Sequence, residues 1–564
     1  MYLITDLPHK KEYQIEKKII SRIAGMKMVL IYTLMLLFAA KGYTAVYQWS
    51  LPIESFISEE TNEPPEAFLW IPENCEQVKA VVFSQQNMCE ETIFNHPKFR
   101  KAMSELGFAI VWITPGINQQ WDVKTGCQKA FDDVMTELAV VSGYTELKHV
   151  PLVPIGHSAM ATFPWNFAAW NPDKTLAIVS FKGDAPRTNL CGYGRENLEW
   201  GRTRNIDGIP GLMVMGEYEW WEARLNPALA FRMMYPQSCI SFLYDAGHGH
   251  FDASNEVVDY LCLFLQKAAK YRLPKNQSLN EPAYLVKLNP EDGWLAERWQ
   301  VNKKKRQKPA RFNKYKGNKH DAFWYFDEET AKATEAHYKG KRNRKMQYVG
   351  YEYNGEWLPF NGKHHAQYLV KGVSTDDLSF RLKAVFVDST RMEKSGVQLD
   401  DAPSITKICG PVEKLTDSTF AIRFERTGMN NTKRSGDIWL LAQHPGNEKY
   451  KSAVQQFNLQ VPLCLTEGKT QRIKLHQIDD QEAGIHSLKL EAESSSGLPV
   501  YFYVKEGHAQ VQNRDLLFTP IPPRSQYPVK ITVVAWQLGS NVAPLFQTAK
   551  PVEQSLYIRQ NIEN

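Results

Sequence analysis

A serine hydroxyl attacks an ester only when a neighbouring base takes its proton, and that base must be held and charge-balanced by a carboxylate. The sequence carries the three residue types in that role order. Ser158 stands in Val153-Pro154-Ile155-Gly156-His157-Ser158-Ala159-Met160, which reads as a buried strand turning sharply into a helix. Gly216-Glu217-Tyr218-Glu219 follows the next-but-one apolar run, and Gly247-His248-Gly249-His250-Phe251-Asp252 follows the run after that. The chemistry expected is two-step acyl transfer, with Ser158 as nucleophile, His250 or His248 as base and an acid near Glu219.

Elements able to present these groups at strand ends are legible around them. From Tyr47 to about Pro274, short apolar runs alternate with helical periodicity, the pattern of a mostly parallel sheet covered on both faces by helices. The strands expected are Ala80–Phe83, Ala109–Ile113, Leu152–Ile155, Leu176–Ser180, Leu212–Met215 and Ile240–Tyr244. The helices are Pro97–Leu106, Cys127–Val141, Ala159–Trp170 and Asn255–Tyr271. The runs Tyr47–Ile57 and Ala67–Ile71 fit an antiparallel edge of the same sheet.

With serine, acid and histidine in this chain order, each at a strand end, residues 46–275 resemble an α/β-hydrolase, and Ser158 falls on the nucleophile position. Gly156 supplies the small residue two places before the serine; the small residue usual two places after is replaced by Met160. Gly249-His250-Phe251 resembles the family's G-H-F form of the base, which favours His250, whereas Gly247-His248-Gly249 resembles its G-H-G form. The family usually places the acid where Glu219 lies, after the seventh strand. Glu217 and Glu222 read as solvated or paired with Arg224, and Asp184 is the other topological option. The resemblance implies an oxyanion hole of two backbone N–H groups, one from Ala159 and one from Gln85 or Gln86, since the usual His-Gly pair is absent there.

Composition sets the frame. At 564 residues the chain exceeds one ordinary core, and 43% hydrophobic with 23% charged residues marks a folded protein of two or three domains. A net charge of +5 gives no reason to expect a nucleic-acid partner. Residues 1–45 read as a signal-peptide region: Met28 to Ala40 is an apolar run too short to span a bilayer, preceded by Lys17, Lys18, Arg22 and Lys27. Export is therefore expected, to a periplasm or beyond, with no stable membrane span after cleavage. The eight cysteines lack C-x-x-C spacing, which argues against a zinc site, and Cys262 lies on an apolar helical face where a buried free thiol is expected. No phosphate loop, dinucleotide fingerprint or metal-ligand spacing is present, so neither metal nor cofactor is expected.

Residues 276–365 turn basic, with Lys303-Lys304-Lys305-Arg306, and read as a solvated connector with a short helical piece at Asp327–Tyr338. His364-His365 reads as a surface pair. Beyond it, strand-like alternation with recurring turns predicts all-β sandwich domains over 366–480 and 481–564. Ser494–Val500, Phe518-Thr519 and Val533–Gly539 resemble the immunoglobulin-like modules appended to bacterial exported proteins.

Between the sixth and seventh strands, Asp184 to Gly208 holds Arg187, Arg195, Trp200, Arg202 and Arg204, and Trp220-Trp221 follow Glu219. Arginines bind carboxylates in a fork and aromatic faces pack on sugars, so Arg187, Arg202, Trp220 and Trp221 are candidate binding residues for an anionic glycan. Export, the triad and the β-domains together are similar to secreted bacterial carbohydrate esterases of the pectin methylesterase and acetylesterase type. The expectation is a serine esterase removing methyl or acetyl esters from a plant-type polysaccharide. An exported peptidase or lipase of the same fold, and a glycan-binding surface protein with a vestigial hydrolase domain, are the alternatives. Nothing in the sequence bears on oligomeric state.

Overall fold

Strands without a polar face need cover on both sides, and the apolar runs of residues 47–274 find it in one eight-stranded sheet. The computed structural model describes residues 47–560 apart from 191–195, 301, 302, 304, 340–342, 373–377, 396–400, 426–430, 432 and 435. The apolar run Met28–Ala40 and Arg195 lie outside these residues. The strands are β1 (Trp49–Pro52), β2 (Glu66–Trp70), β3 (Ala80–Gln85), β4 (Phe108–Thr114), β5 (Leu152–His157), β6 (Ile178–Phe181), β7 (Pro210–Gly216) and β8 (Cys239–Asp245). They lie in the order β1-β2-β4-β3-β5-β6-β7-β8. β1 and β2 form the antiparallel edge; β3 to β8 pair in parallel. This is the doubly covered layout that the α/β-hydrolase resemblance implies.

Six helices cover the sheet: α1 (Cys89–Asn95), α2 (Pro97–Leu106), α3 (Cys127–Ser142), α4 (Phe163–Trp170), α5 (Glu222–Met234) and α6 (Asn255–Arg272). On one face Phe94, Phe99, Val257 and Leu261 pack on Val82, Ile110 and Trp112. On the other, Phe131, Phe163 and Phe167 close over Phe83 and Val111. Local sequence sets the ends. His96 accepts the Lys98 N–H ahead of α2, Gly107 stops that helix at φ +69°, and the Ser254 hydroxyl caps Val257 ahead of α6. The helix expected from Ala159 begins at Phe163, because Ser158–Met160 is spent on a separate 3₁₀ turn. Helices α1 and α5 fall outside the expected set: α1 is short and has no side-chain cap, and Pro227 interrupts the pattern of α5, whose Leu225, Ala228 and Phe231 still bury one face.

The connector reading of 276–365 is corrected. A small sheet of β9 (Trp294–Glu297), β10 (Ala310–Arg311) and β11 (Ala322–Tyr325), followed by α7 (Glu328–Lys339), packs onto β8. Tyr325 Oη donates to Phe242 O at 2.6 Å, and Ser241 Oγ to Trp324 O at 2.6 Å. Part of the basic run is engaged here: Arg306, 8% exposed at its side chain, binds Glu335 at 2.8 Å and the Arg298 carbonyl at 2.8 Å, and Lys303 pairs with Glu297, while Lys305 is exposed.

Two β regions follow. In the first, beginning at Tyr348, five-stranded and four-stranded sheets enclose Tyr351, Phe380, Leu382, Phe420, Leu440 and Phe457. The second runs from Ile473 to Arg559 in sheets of four, three and two strands around Phe502, Leu516, Ile531 and Leu556. Trp536 and Leu538 of the second join the core of the first. Among the described residues no helix is long and apolar enough to cross a membrane. The described cysteines, 75, 89, 127, 239, 262, 409 and 464, are free thiols, all buried except Cys464.

Candidate active site

The end of β5 forces the geometry at Ser158. Its backbone sits at φ +53°, a left-handed conformation that costs a non-glycine residue energy and persists only where the surroundings impose it. A Cβ on Gly156 would lie 1.9 Å from the Met160 carbonyl oxygen, so the turn closes only over glycine. Met160 is tolerated because its side chain points away, its terminal methyl lying 2.7 Å from where a Cβ on Gly116 would be. The small side chain is needed one place later, where the Ala161 methyl lies 1.9 Å from a Cβ built on Gly183.

Ser158 Oγ lies 2.7 Å from His250 Nε2. The other ring nitrogen, Nδ1, is hydrogen-bonded to Glu219 Oε2. A carboxylate only accepts, so Nδ1 carries the proton and Nε2 is left to accept from the serine. Glu219 is fixed by the Gly216 N–H at 3.0 Å on Oε1 and by Arg224 Nη1 at 3.3 Å on Oε2. His250 and Glu219 are 16% and 10% exposed at the side chain, shielded enough for these bonds to hold their geometry.

The competing candidates lie elsewhere. His248 bonds Asp252 through Nδ1, away from the serine. Glu217 does not pair with Arg224 but accepts the Gly247 N–H at 2.8 Å and binds Lys451; Glu222 pairs with Arg298 at 2.8 Å. Asp184 is buried beside Thr162, whose hydroxyl lies 3.3 Å from its Oδ2.

Ala159 is the second residue of the 3₁₀ turn, and the first N–H groups of a helical turn have no partner inside it, as an oxyanion donor requires. Gln86 is corrected: its N–H donates to Ile113 O at 2.8 Å, extending the sheet. Its side-chain oxygen accepts from Thr114 at 2.5 Å and Asn431 at 3.1 Å. The Gln85 side chain clasps Asn118, accepting its N–H at 2.9 Å and donating to its carbonyl at 3.1 Å, so only the Gln85 backbone remains of that pair.

The binding residues expected for an anionic glycan are mostly committed. Arg187 donates to Tyr235 Oη at 2.7 Å and pairs with Glu199 at 3.4 Å. Trp200 is buried, its Nε1 bonded to Asn166 at 2.7 Å, and is a core residue; Trp220 is partly buried, meeting Phe242 and Tyr244 edge-on at the border of that core. Arg202 is exposed. Trp221 is 43% exposed and carries the Arg224 guanidinium 5.0 Å over its ring, beside the acid.

Several residues that hold the site left no sequence signal. Glu90, fully buried, accepts the N–H of His157 at 2.7 Å and of Met88 at 2.8 Å, and burial raises its carboxyl to about 7. His157 Nε2 faces the His250 carbonyl at 2.9 Å; a carbonyl only accepts, so Nε2 carries the proton and Nδ1 accepts from Asn87 Nδ2 at 3.3 Å. Burial, with His250 close by, holds His157 well below the usual imidazole range, so the ring stays neutral. His365 is exposed, as expected of a surface residue, but not isolated: one side of its ring meets Phe251 edge-on at 4.8 Å, next to His250. Desolvation of the covered side of the ring, and then His250, lower its basicity.

The ligand atoms of Asp245, His248 and Asp252 lie within 4.8 Å of one another. The cation among them is Lys182, whose Nζ reaches Asp252 at 2.6 Å and Asp245 at 3.1 Å.

No protein-family model matches this sequence, and no curated protein matches it. Loose likenesses exist among solved structures. The fluorophosphonate-binding serine hydrolase FphF of Staphylococcus aureus is 13% identical over 41% of this chain and 98% of its own, with a TM-score of 0.27. An S-formylglutathione hydrolase from Agrobacterium tumefaciens is 15% identical over 40% and 97%, TM-score 0.29. Est1E from Butyrivibrio proteoclasticus is 15% identical over 39% and 99%, TM-score 0.28. At such scores the description of the fold rests on the strand order and pairing of this chain alone.

Proposed function

We propose that the protein is a serine hydrolase of carboxylic esters, working through an acyl-enzyme on Ser158. The observation that carries the reading is His250 bridging Ser158 Oγ at 2.7 Å and Glu219. His250 Nε2 takes the hydroxyl proton as Oγ adds to the ester carbonyl, and Glu219 balances the imidazolium that forms. The oxyanion meets the Ala159 N–H and a second backbone donor at the end of β3. Collapse expels the alcohol, which leaves with the proton from Nε2. Water, deprotonated by the same nitrogen, then releases the acid and restores Ser158.

The substrate we propose is a methyl or acetyl ester on a polysaccharide met outside the cytoplasm. Support comes from the signal-like run Met28–Ala40 and from the β region that borders the site through His365, where a long polymer would lie. The exposed Trp221 ring offers a sugar-packing face beside the acid.

The test compares intact protein with Ser158→Ala on p-nitrophenyl acetate, esterified pectin and acetylated xylan. Hydrolysis of the small ester that falls by at least about 10³-fold in the variant establishes the nucleophile. Methanol or acetate released from the polymers selects the ester class. A protein that binds the polymers but hydrolyses nothing is a glycan-binding protein, and the reading fails.

A further inference from the structure

The strand-end loop carrying His250 is short of its own structure, yet its peptide groups are held one after another. Gly247 N–H goes to Glu217, the His248 carbonyl accepts the Tyr218 N–H at 2.9 Å, and the His250 carbonyl faces His157. Gly249 is held at both ends: its N–H donates to Asp252 Oδ1 at 3.1 Å and its carbonyl accepts from Lys182 Nζ at 2.5 Å. Lys182 is wholly buried at the end of β6 and sits at φ +50°. Its ammonium also contacts Asp252 at 2.6 Å and Asp245 at 3.1 Å, both buried. Asp245 closes the cluster by accepting from His337 Nε2, on α7, at 2.9 Å.

Two buried carboxylates share one ammonium, and each carboxylate is also hydrogen-bonded to an imidazole, His248 on Asp252 and His337 on Asp245. Burial alone would lower Lys182, but Asp252 and Asp245 carry it above the usual lysine range, so it remains a cation. Such a cluster is a costly way to stabilise a fold, since apolar residues of the same volume commonly do as well. What apolar residues could not do is bind a carbonyl and a carboxylate of the catalytic loop at fixed distances.

We propose that Lys182, with Asp245, Asp252 and His337, forms a buried ionic clamp that positions His250, making Lys182 and His337 positioning residues for the base. The proposal rests on the serine-hydrolase reading of Ser158. It assigns a function to the 294–339 segment: α7 closes the clamp from outside the main sheet.

Lys182→Met strands two buried carboxylates and risks unfolding, so the decisive variants are His337→Leu, which removes the donor to Asp245, and His337→Gln, which restores one. Each is made in the full chain. Three quantities are read: the rate at which a fluorophosphonate labels Ser158, kcat and KM on p-nitrophenyl acetate, and the far-downfield proton resonance of the His250–Glu219 bond. His337→Leu is expected to lower labelling and kcat about tenfold with KM within about twofold, to shift or broaden that resonance, and to unfold a few degrees lower while staying fully folded at the assay temperature. His337→Gln returns most of the rate. A folded His337→Leu that labels at the wild-type rate with an unchanged resonance overturns the clamp. So does a loss of rate that follows stability alone and is not rescued by glutamine. If the wild-type protein itself fails to label, the hydrolase reading is what fails, and the resonance alone then decides whether the cluster positions His250.

Discussion

At the scale of single residues, the site is a set of side chains made to do what their types resist. Ser158 holds a left-handed backbone because Gly156 lets the Met160 carbonyl approach. Gly156→Ala places a methyl 1.9 Å from that oxygen, a backbone atom that cannot step aside. Its cost is expected to be about 3 kcal/mol, with activity falling beyond what the unfolded fraction accounts for, as chemical denaturation and ester hydrolysis on the same samples would show. Glu90 makes a pH prediction. Its folded-state value, raised by burial from 4.5 to about 7, means the native protein binds the proton more tightly than the unfolded chain. The sign follows: this contribution is fully present below about pH 4.5 and is lost as pH rises to about 7, up to about 3 kcal/mol in all. Denaturant midpoints measured from pH 4.5 to 8 should carry that decline, and Glu90→Gln should lack it. Sequence could show Ser158, Glu219 and His250, since each occupies a strand end in a fixed order. It could not show Glu90, His157 or Lys182, because their roles depend on which backbone groups the fold brings to them.

At the scale of elements, period and punctuation account for what was legible. All six apolar runs became β3 to β8, because strands covered on both faces leave an unbroken apolar signature. The helices with clean caps were legible, while α5 hid behind Pro227 and α7 ended nearly where its pattern did. The misreading of 276–365 has a physical source. Its strands are two to four residues long, and two members of its basic run are paired, Lys303 with nearby Glu297 and Arg306 with Glu335 on α7, so composition resembled a solvated linker. The Asp184–Gly208 stretch misled in the same way: Trp200 and Arg187 are spent on Asn166, Tyr235 and Glu199 rather than on a ligand. If the small β9–β11 sheet is part of the catalytic core, Phe323, which stacks on Phe242 with centroids 5.0 Å apart, is a core residue in the full sense. Phe323→Ala is expected to cost about 3–5 kcal/mol and to lower the unfolding of the catalytic sheet as a unit. A loss under about 1 kcal/mol, read from denaturant titration, would return this segment to the status of a connector.

At the scale of the whole molecule, the first β region braces the loops that carry Glu219 and His250. Tyr218 Oη donates to Ser452 O at 2.5 Å, Lys451 pairs with Glu217, and Arg434 reaches Asn87 Oδ1 at 3.1 Å, beside the nucleophile turn. Glu217 in turn holds the Gly247 N–H, and the neighbouring Tyr218 N–H holds the His248 carbonyl. The chain of contacts therefore runs from the β region through Glu217 to the loop of His250, all within one compact unit, Val46–Asn564. Lys451 and Glu217 are 16% and 17% exposed at their side chains, buried enough that losing one partner leaves a poorly solvated charge. Lys451→Ala should cost about 1–3 kcal/mol, less than a fully buried pair because water reaches both ends. It should also uncouple the parts, so that calorimetry resolves a β-region transition below that of the catalytic sheet and limited proteolysis cuts between them. Because the freed Glu217 also loosens Gly247, kcat is expected to fall several-fold below the melting range. The double variant Lys451→Ala, Glu217→Gln separates the two effects: removing the stranded charge should recover stability but not kcat, since glutamine's neutral amide replaces the charge-assisted bond to Gly247 with a weaker one. Full recovery of both would mean that the β region merely sits beside the catalytic loops without helping to hold them.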